Sequence, residues 1–99
     1  MNIVGITGNL VRDPELRNTS GGNSVANITM AVDDREKTAF VDVTLWGQSA
    51  TTFCDHHVKG DRCAVEGRIS MDEWEDKTTG AKRTKLKVTA ERWTFVKRD

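Results

Sequence analysis

Apolar side chains in this sequence recur mainly at every second position, which is the period of a half-buried β-strand. Residues 3–10 are β-branched as far as Gly8-Asn9 and predict a first strand, followed by a turn at Asp13-Pro14. The run Asn-Thr-Ser-Gly-Gly-Asn at 18–23 predicts a hairpin loop. Residues 24–32 alternate and put Ala26, Ile28, Met30 and Val32 on one face. A short charged loop is expected over 33–38, and alternation resumes over 40–46. Ser49 is placed to cap a short helix in which Ala50, Phe53, Cys54, His57 and Val58 fall at helical spacing, with Gly60 as its stop. A long strand over 63–74, a turn over 76–82 around Gly80, and a last strand over 84–96 complete the chain.

Three strands, a helix and two strands make an all-β chain, in the element order of a five-stranded OB-fold barrel. The short helix lies between strands three and four, and a long hairpin joins strands four and five. With 99 residues there is room for one such domain, spanning 1–99. There is no internal repeat, low-complexity segment or linker.

The parity of the strands carries the functional signal. Over 40–46, Val41, Val43 and Leu45 form the core face, so Phe40, Asp42, Thr44 and Trp46 form the other. Over 63–74, Cys63, Val65, Gly67, Ile69 and Met71 are expected inward, and Glu66, Arg68, Ser70, Asp72 and Trp74 outward. Large aromatics in line with polar neighbours call for a partner: another subunit, a small ligand or a nucleobase. A base stacked on a ring gains about 1–3 kcal/mol whatever its identity, because every base has a π-face. Trp93 and Phe95 have the opposite parity to Leu86, Val88 and Ala90. Either a bulge near Glu91-Arg92 returns them to the core, or they form a second surface patch; core or subunit contact is the favoured reading.

Composition modifies this picture in two ways. At 36% hydrophobic and 30% charged residues, with no apolar run near the roughly 20 needed to span a bilayer, the chain reads as a globular protein of the cytoplasm without a membrane partner. The N-terminus reads as a strand rather than a signal peptide, and two cysteines without a Cys-x-x-Cys pair fit a reducing compartment. The net charge is zero, yet it is unevenly spread. Lys82, Arg83, Lys85, Lys87, Arg92, Lys97 and Arg98 face a single acid, Glu91, in the last stretch. Acids gather instead at Asp33, Asp34 and Glu36 and at Asp72, Glu73, Glu75 and Asp76, so a one-sided field is compatible with the neutral total.

Gly8-Asn9-Leu10 followed by Asp13-Pro14-Glu15-Leu16-Arg17 resembles the first-strand signature of bacterial single-stranded DNA-binding proteins. Val25-Ala26-Asn27-Ile28-Thr29 resembles their second strand, and Val43-Thr44-Leu45-Trp46-Gly47 their third, with an aromatic just before the glycine. Lys59-Gly60-Asp61 and Val65-Glu66-Gly67-Arg68-Ile69 resemble the lysine-glycine turn and fourth strand. The resemblance implies an OB fold, usually a homotetramer, that wraps single-stranded DNA over stacking aromatics in replication, recombination or repair. It implies no enzyme activity, no cofactor and a place beside the nucleoid. Phe40 falls where the family often has a stacking tryptophan, Trp46 at its aromatic before glycine, and Trp74 at the tryptophan of its long hairpin. Arg68, Lys82, Arg83, Lys85 and Lys87 are the candidate phosphate contacts.

Three departures stand out. The loop over 33–38 lacks an aromatic, and Asp72 and Glu73 stand where the family tends to be basic. The sequence stops at Asp99 without the acidic tail through which family members recruit other proteins, so no tail-mediated partner is expected. A tail-less primosomal relative, a shortened chain or a mobile-element version all fit this ending, and a protein-interaction OB module is the alternative function.

Other chemistry is weaker. Cys54, His56, His57 and Cys63 are close in sequence, but adjacent histidines on a helix point about 100° apart, which disfavours a zinc site. The run Asp72-Glu73-Trp74-Glu75-Asp76 splits between two strand faces and has no His or Lys as general base, so a nuclease centre is not expected.

Overall fold

The computed structural model describes residues 1–96, so Lys97 and Arg98 of the basic run lie outside the described residues. The elements are β1 (Val4–Leu10), β2 (Glu15–Asn18), β3 (Ser24–Asp34), β4 (Lys37–Trp46), α1 (Gly47–His56), β5 (Arg62–Glu75) and β6 (Lys82–Phe95). They form one sheet in the order β1-β5-β6-β4-β3-β2. The end of β1 also pairs with β3, Asn9 with Ala31 and Leu10 with Met30, so the sheet curls round on itself. The arrangement is the expected OB fold, with the helix between β4 and β5 and one short strand, β2, added.

The alternating residues fill the inside of the curl. Leu10, Ala26, Ile28, Met30, Val43, Leu45, Cys63, Val65 and Val88 are buried together with Ala50 and Phe53 of α1. Phe53 is completely covered, a burial that contributes roughly 1.5–3 kcal/mol relative to exposure. The helix packs on β2, β3 and β4. It begins at Gly47, whose φ of 65° turns the chain from strand into helix. Trp46 is its N-cap residue and makes no side-chain capping bond. Ser49 therefore lies inside the helix instead of capping it, because the glycine turn supplies the entry.

One expected loop gives way to strand, and one stretch to which the sequence assigned no element, residues 15–17, forms another with Asn18. The charged stretch 33–38 is mostly ladder: Asp33 pairs with Thr38 and Asp34 with Lys37, leaving a two-residue turn in which Arg35 takes φ 59°. Polar side chains here do not interrupt pairing, since the backbone makes the bonds. Residues Glu15–Asn18 pair with β3 although all four are exposed, so no alternation marks them. The hairpin closes through Thr19 N–H to the Asn23 carbonyl at 2.8 Å.

β5 and β6 run past the body of the domain as a two-stranded arm. Ile69 and Met71 on β5 and Leu86 on β6 keep the inward parity, but about half or more of each side chain is exposed. The alternation continues where nothing is left to cover it, which corrects their assignment to the core. At the base of the arm Glu66 pairs with Arg92 and Gly67 with Ala90, so Glu91 is an extra residue in β6. This bulge brings Trp93 opposite Val65 and Phe95 opposite Cys63. Trp93 is half-buried against the core, its ring edge-on to Phe53 at 5.4 Å. Phe95 is on the same side but more than half exposed, stacked on His57 at 4.8 Å.

Candidate functional site

The outer face of β4 is set by what lies behind it. Val43 and Leu45 are fully buried, which fixes the strand's rotation and turns Phe40, Asp42, Thr44 and Trp46 outward. Phe40 is 68% exposed and Trp46 47% exposed, both unusual for rings of that size. The strip between them is polar and bonded. Thr44 Oγ1 donates to Asn27 Oδ1 at 2.9 Å, and Thr29 Oγ1 donates to Asp42 Oδ1 at 2.8 Å. Arg12 Nη2 donates to Thr29 Oγ1 at 3.0 Å, tying the segment after β1 to the same strip.

Pairing carries this face onward. Thr44 lies beside Thr89 of β6, and Thr89 is opposite Arg68 of β5. Ser70, Asp72 and Trp74 follow Arg68 along one face of the arm, opposite Lys87, Lys85 and Arg83. Phe40, Trp46 and Trp74 thus share one continuous curved surface with Arg68, Arg83, Lys85 and Lys87. A groove of about 400 Å³ lies within it, lined in part by Arg12, Asn27, Asp42, Thr44, Lys85 and Lys87. Trp74 is 48% exposed, well out on the arm.

The cations of this surface are engaged with neighbouring carboxylates. Lys85 Nζ contacts Asp42 Oδ2, and Lys87 Nζ is 2.8 Å from Asp72 Oδ1. Arg83 lies 3.4 Å from Asp76 and Arg68 3.7 Å from Glu91. The Lys85 bond, helped by Thr29, holds the Asp42 carboxyl below its ordinary range against the opposing effect of partial burial. Backbone N–H groups of Thr78 and Thr79, with Arg83, do the same for Asp76. Lys82 stands apart from the other candidate contacts. It pairs with Glu75 and lies 3.4 Å from Glu73, on the opposite face of the arm from Trp74.

Arg12, Asn27 and Thr29 belong to this surface and were not picked out from the sequence. The parity of β3 was a usable signal for two of them, because buried Ala26, Ile28 and Met30 force Asn27 and Thr29 outward. Arg12 sits in a bend after β1, where strand parity gives no direction.

The two cysteines and two histidines do not gather into one site. His57 is buried, with Nδ1 donating to the Phe53 carbonyl at 3.0 Å and its ring stacked 4.0 Å from Phe53. Cys63 is in the core, and burial pushes its thiol up to about 11, with Asp61 adding to the shift. Among the described residues no three His, Cys, Asp or Glu side chains gather as metal ligands. No helix among them is long and apolar enough to cross a membrane.

A curled sheet of this order, with one helix after β4, defines an OB domain, and here its polar face carries exposed aromatic rings. The sequence matches the Single-strand binding protein family over residues 1–96, and the chain belongs to that family. It is 39% identical over 99 residues to the single-stranded DNA-binding protein of Helicobacter hepaticus, a match covering 91% of this chain and 58% of that protein. It is 32% identical over 98 residues to the corresponding protein of Treponema pallidum, covering 91% and 54%. The crystal structure of a deletion mutant of the single-stranded DNA binding protein from Thermus aquaticus superposes with a TM-score of 0.84 at 33% identity, covering 100% of this chain and 42% of that one. The chain thus spans little more than half the length of these two curated relatives.

Proposed function

We propose that this domain binds single-stranded DNA with little base preference and performs no catalysis on it. One observation supports the reading above the others: Phe40, Trp46 and Trp74 lie exposed on a single face that also carries Arg12, Arg83, Lys85 and Lys87. Unpaired bases stack on the rings, each contributing about 1–3 kcal/mol, while the cations follow the phosphates. Duplex DNA hides its base faces, so such a surface selects the unpaired strand. The Helicobacter and Treponema proteins are named for that ligand, and a role in protecting DNA during replication, recombination or repair follows from it. Titration with oligo-dT at low salt tests the proposal. Quenching of Trp46 and Trp74 fluorescence is the expected result; unchanged fluorescence and mobility at micromolar protein would remove it.

The same reading includes self-association, with a homotetramer favoured over a dimer. From Val4 to Gly8, β1 pairs on one side with β5, while its other side meets β3 only at Asn9 and Leu10. A partly unpaired strand edge beside exposed Ile3 is a surface that pairs readily with another strand. Sedimentation at micromolar concentration is the check, and a monomer mass would end this part of the proposal.

A further inference from the structure

The lysines of the groove are already occupied. Lys85 is bonded to Asp42, whose other oxygen receives the Thr29 hydroxyl; Thr29 in turn accepts from Arg12. Lys87 is 2.8 Å from Asp72, and only 17% of its side chain is exposed, so the lysine is held against the surface beside that carboxylate. Both acids lie on the same face as the rings, one on β4 between Phe40 and Trp46, the other on β5 two residues before Trp74. A carboxylate on a lysine occupies the position that a DNA phosphate oxygen would take.

We propose that Asp42 and Asp72 are built-in competitors for phosphate, so that single-stranded DNA has to exchange carboxylate for phosphate at Lys85 and Lys87 in order to bind. This rests on the outer face being the DNA surface, and it adds a regulation of that surface by the protein's own acids. The physical consequence concerns counterions. A phosphate neutralised by a free lysine releases condensed cations, with a slope of about −0.7 per contact in log affinity against log salt. When the lysine comes from an ion pair, the freed carboxylate gathers cations from solution and offsets that release. Stacking then carries most of the affinity, and binding stays nearly level as salt rises. The acids also select against ligands that offer negative charge without bases to stack.

The experiment compares the parent with Asp42→Asn, Asp72→Asn and Asp55→Asn in oligo-dT titrations over a range of salt, with thermal melts on the same samples. Asp55 is an exposed acid of α1, outside the face, and controls for overall charge. Asp42→Asn and Asp72→Asn should each steepen the slope by about 0.7 and tighten binding about fivefold at ~0.1 M salt, the factor that one freed contact of that slope supplies. Asp55→Asn should change neither. In addition, Lys85→Ala should cost more binding in the Asp42→Asn background than in the parent, because only there is the lysine free to serve DNA. Unchanged slope and affinity in folded Asp42→Asn and Asp72→Asn, with the parent binding normally, would overturn the inference and leave the DNA surface standing. Equal tightening by Asp55→Asn would overturn it too, by assigning the effect to net charge. A folded parent that binds no oligo-dT would instead remove the surface itself, and the inference with it.

Discussion

Gly67 of β5 lies directly under the Thr89 carbonyl of β6: a Cβ placed on Gly67 would fall 2.0 Å from that oxygen and 3.0 Å from the Ala90 Cα. The close approach occurs beside the bulge, where β6 carries its extra residue. Backbone on backbone cannot yield as a flexible side chain can. Gly67→Ala should therefore lower stability by at least the roughly 1–3 kcal/mol of an overpacked site. Gly5→Ala, where a Cβ meets nothing within 4 Å, is the matched control. Urea or thermal melts of the two variants check the expectation, and equal midpoints would refute it.

The three tryptophans should separate into two classes. Trp46 stands on a strand backed by buried Val43 and Leu45, whereas Trp74 is on the projecting arm. An arm with little packed behind it resists displacement less than a strand of the body does, and holding it in place consumes part of the stacking energy. Trp46→Ala should cost more oligo-dT affinity than Trp74→Ala, each within about 1–3 kcal/mol, with melting little changed. Trp93→Ala should do the reverse, since its ring packs on Phe53 and His57. A Trp93→Ala protein that melts like the parent yet binds worst would invert this assignment of faces.

Asp42 gives a signed dependence on pH. Its folded carboxyl is held below the ordinary value by Lys85 and Thr29. Its contribution to stability is accordingly complete above the unfolded value, about 3.9. As pH falls from there through the lower folded value, that contribution is lost. The stability difference between the parent and Asp42→Asn should be constant near neutrality and shrink below about pH 4. Denaturant midpoints of both proteins across that range measure it; a difference unchanged down to the acid limit would mean that the Lys85 contact contributes nothing.

The two thiols should differ from an exposed cysteine in the same direction. Burial raises both, Cys63 to about 11 and the half-buried Cys54 less far. Thiolate is the reactive form, so a disulfide reagent at mildly alkaline pH should modify Cys63 only after denaturation and Cys54 slowly in the native protein. Rapid reaction of both in the folded state would contradict the packing around α1 and β5.

Much of this was legible from alternation. Val41, Val43 and Leu45 on one parity are enough to turn Phe40 and Trp46 outward, and the structure keeps them there. A period of two reports which residues share a face but not where the neighbouring layer ends, so Ile69, Met71 and Leu86 read as core although the arm leaves them uncovered. Glu15–Asn18 form a strand only because β3 offers an edge, a long-range cause that leaves no local pattern. The parity of Trp93 and Phe95 leaves two readings, a bulge near Glu91 or a second surface patch; the bulge is present and takes Trp93 to the core, while Phe95 stays more than half exposed. The partners of the basic residues were not legible. Lys85 meets Asp42 forty-three residues away through a two-pair parallel contact between β4 and β6, which nothing in either segment announces.

The extra residue at Glu91 also makes β6 a strand with two phases, one along the arm and one along the body. Side chains from Lys82 to Ala90 are counted on one phase, and those from Arg92 to Phe95 on the other. Length, and not only composition, is therefore under constraint here. Deleting Glu91 would remove the bulge and leave a regular ladder with both segments on their present faces, whereas one further residue inserted between Val88 and Arg92 would exchange inside for outside over one whole segment, as no point substitution does. At the arm's tip, between Asp76 and Ala81, the chain is free of that rule: lengthening or shortening both strands together there changes the reach of Trp74 and leaves the phase of the body untouched. Reach is thus the dimension in which this chain can change without disturbing the body, and the register at the base of the arm the one that ties the arm to the core.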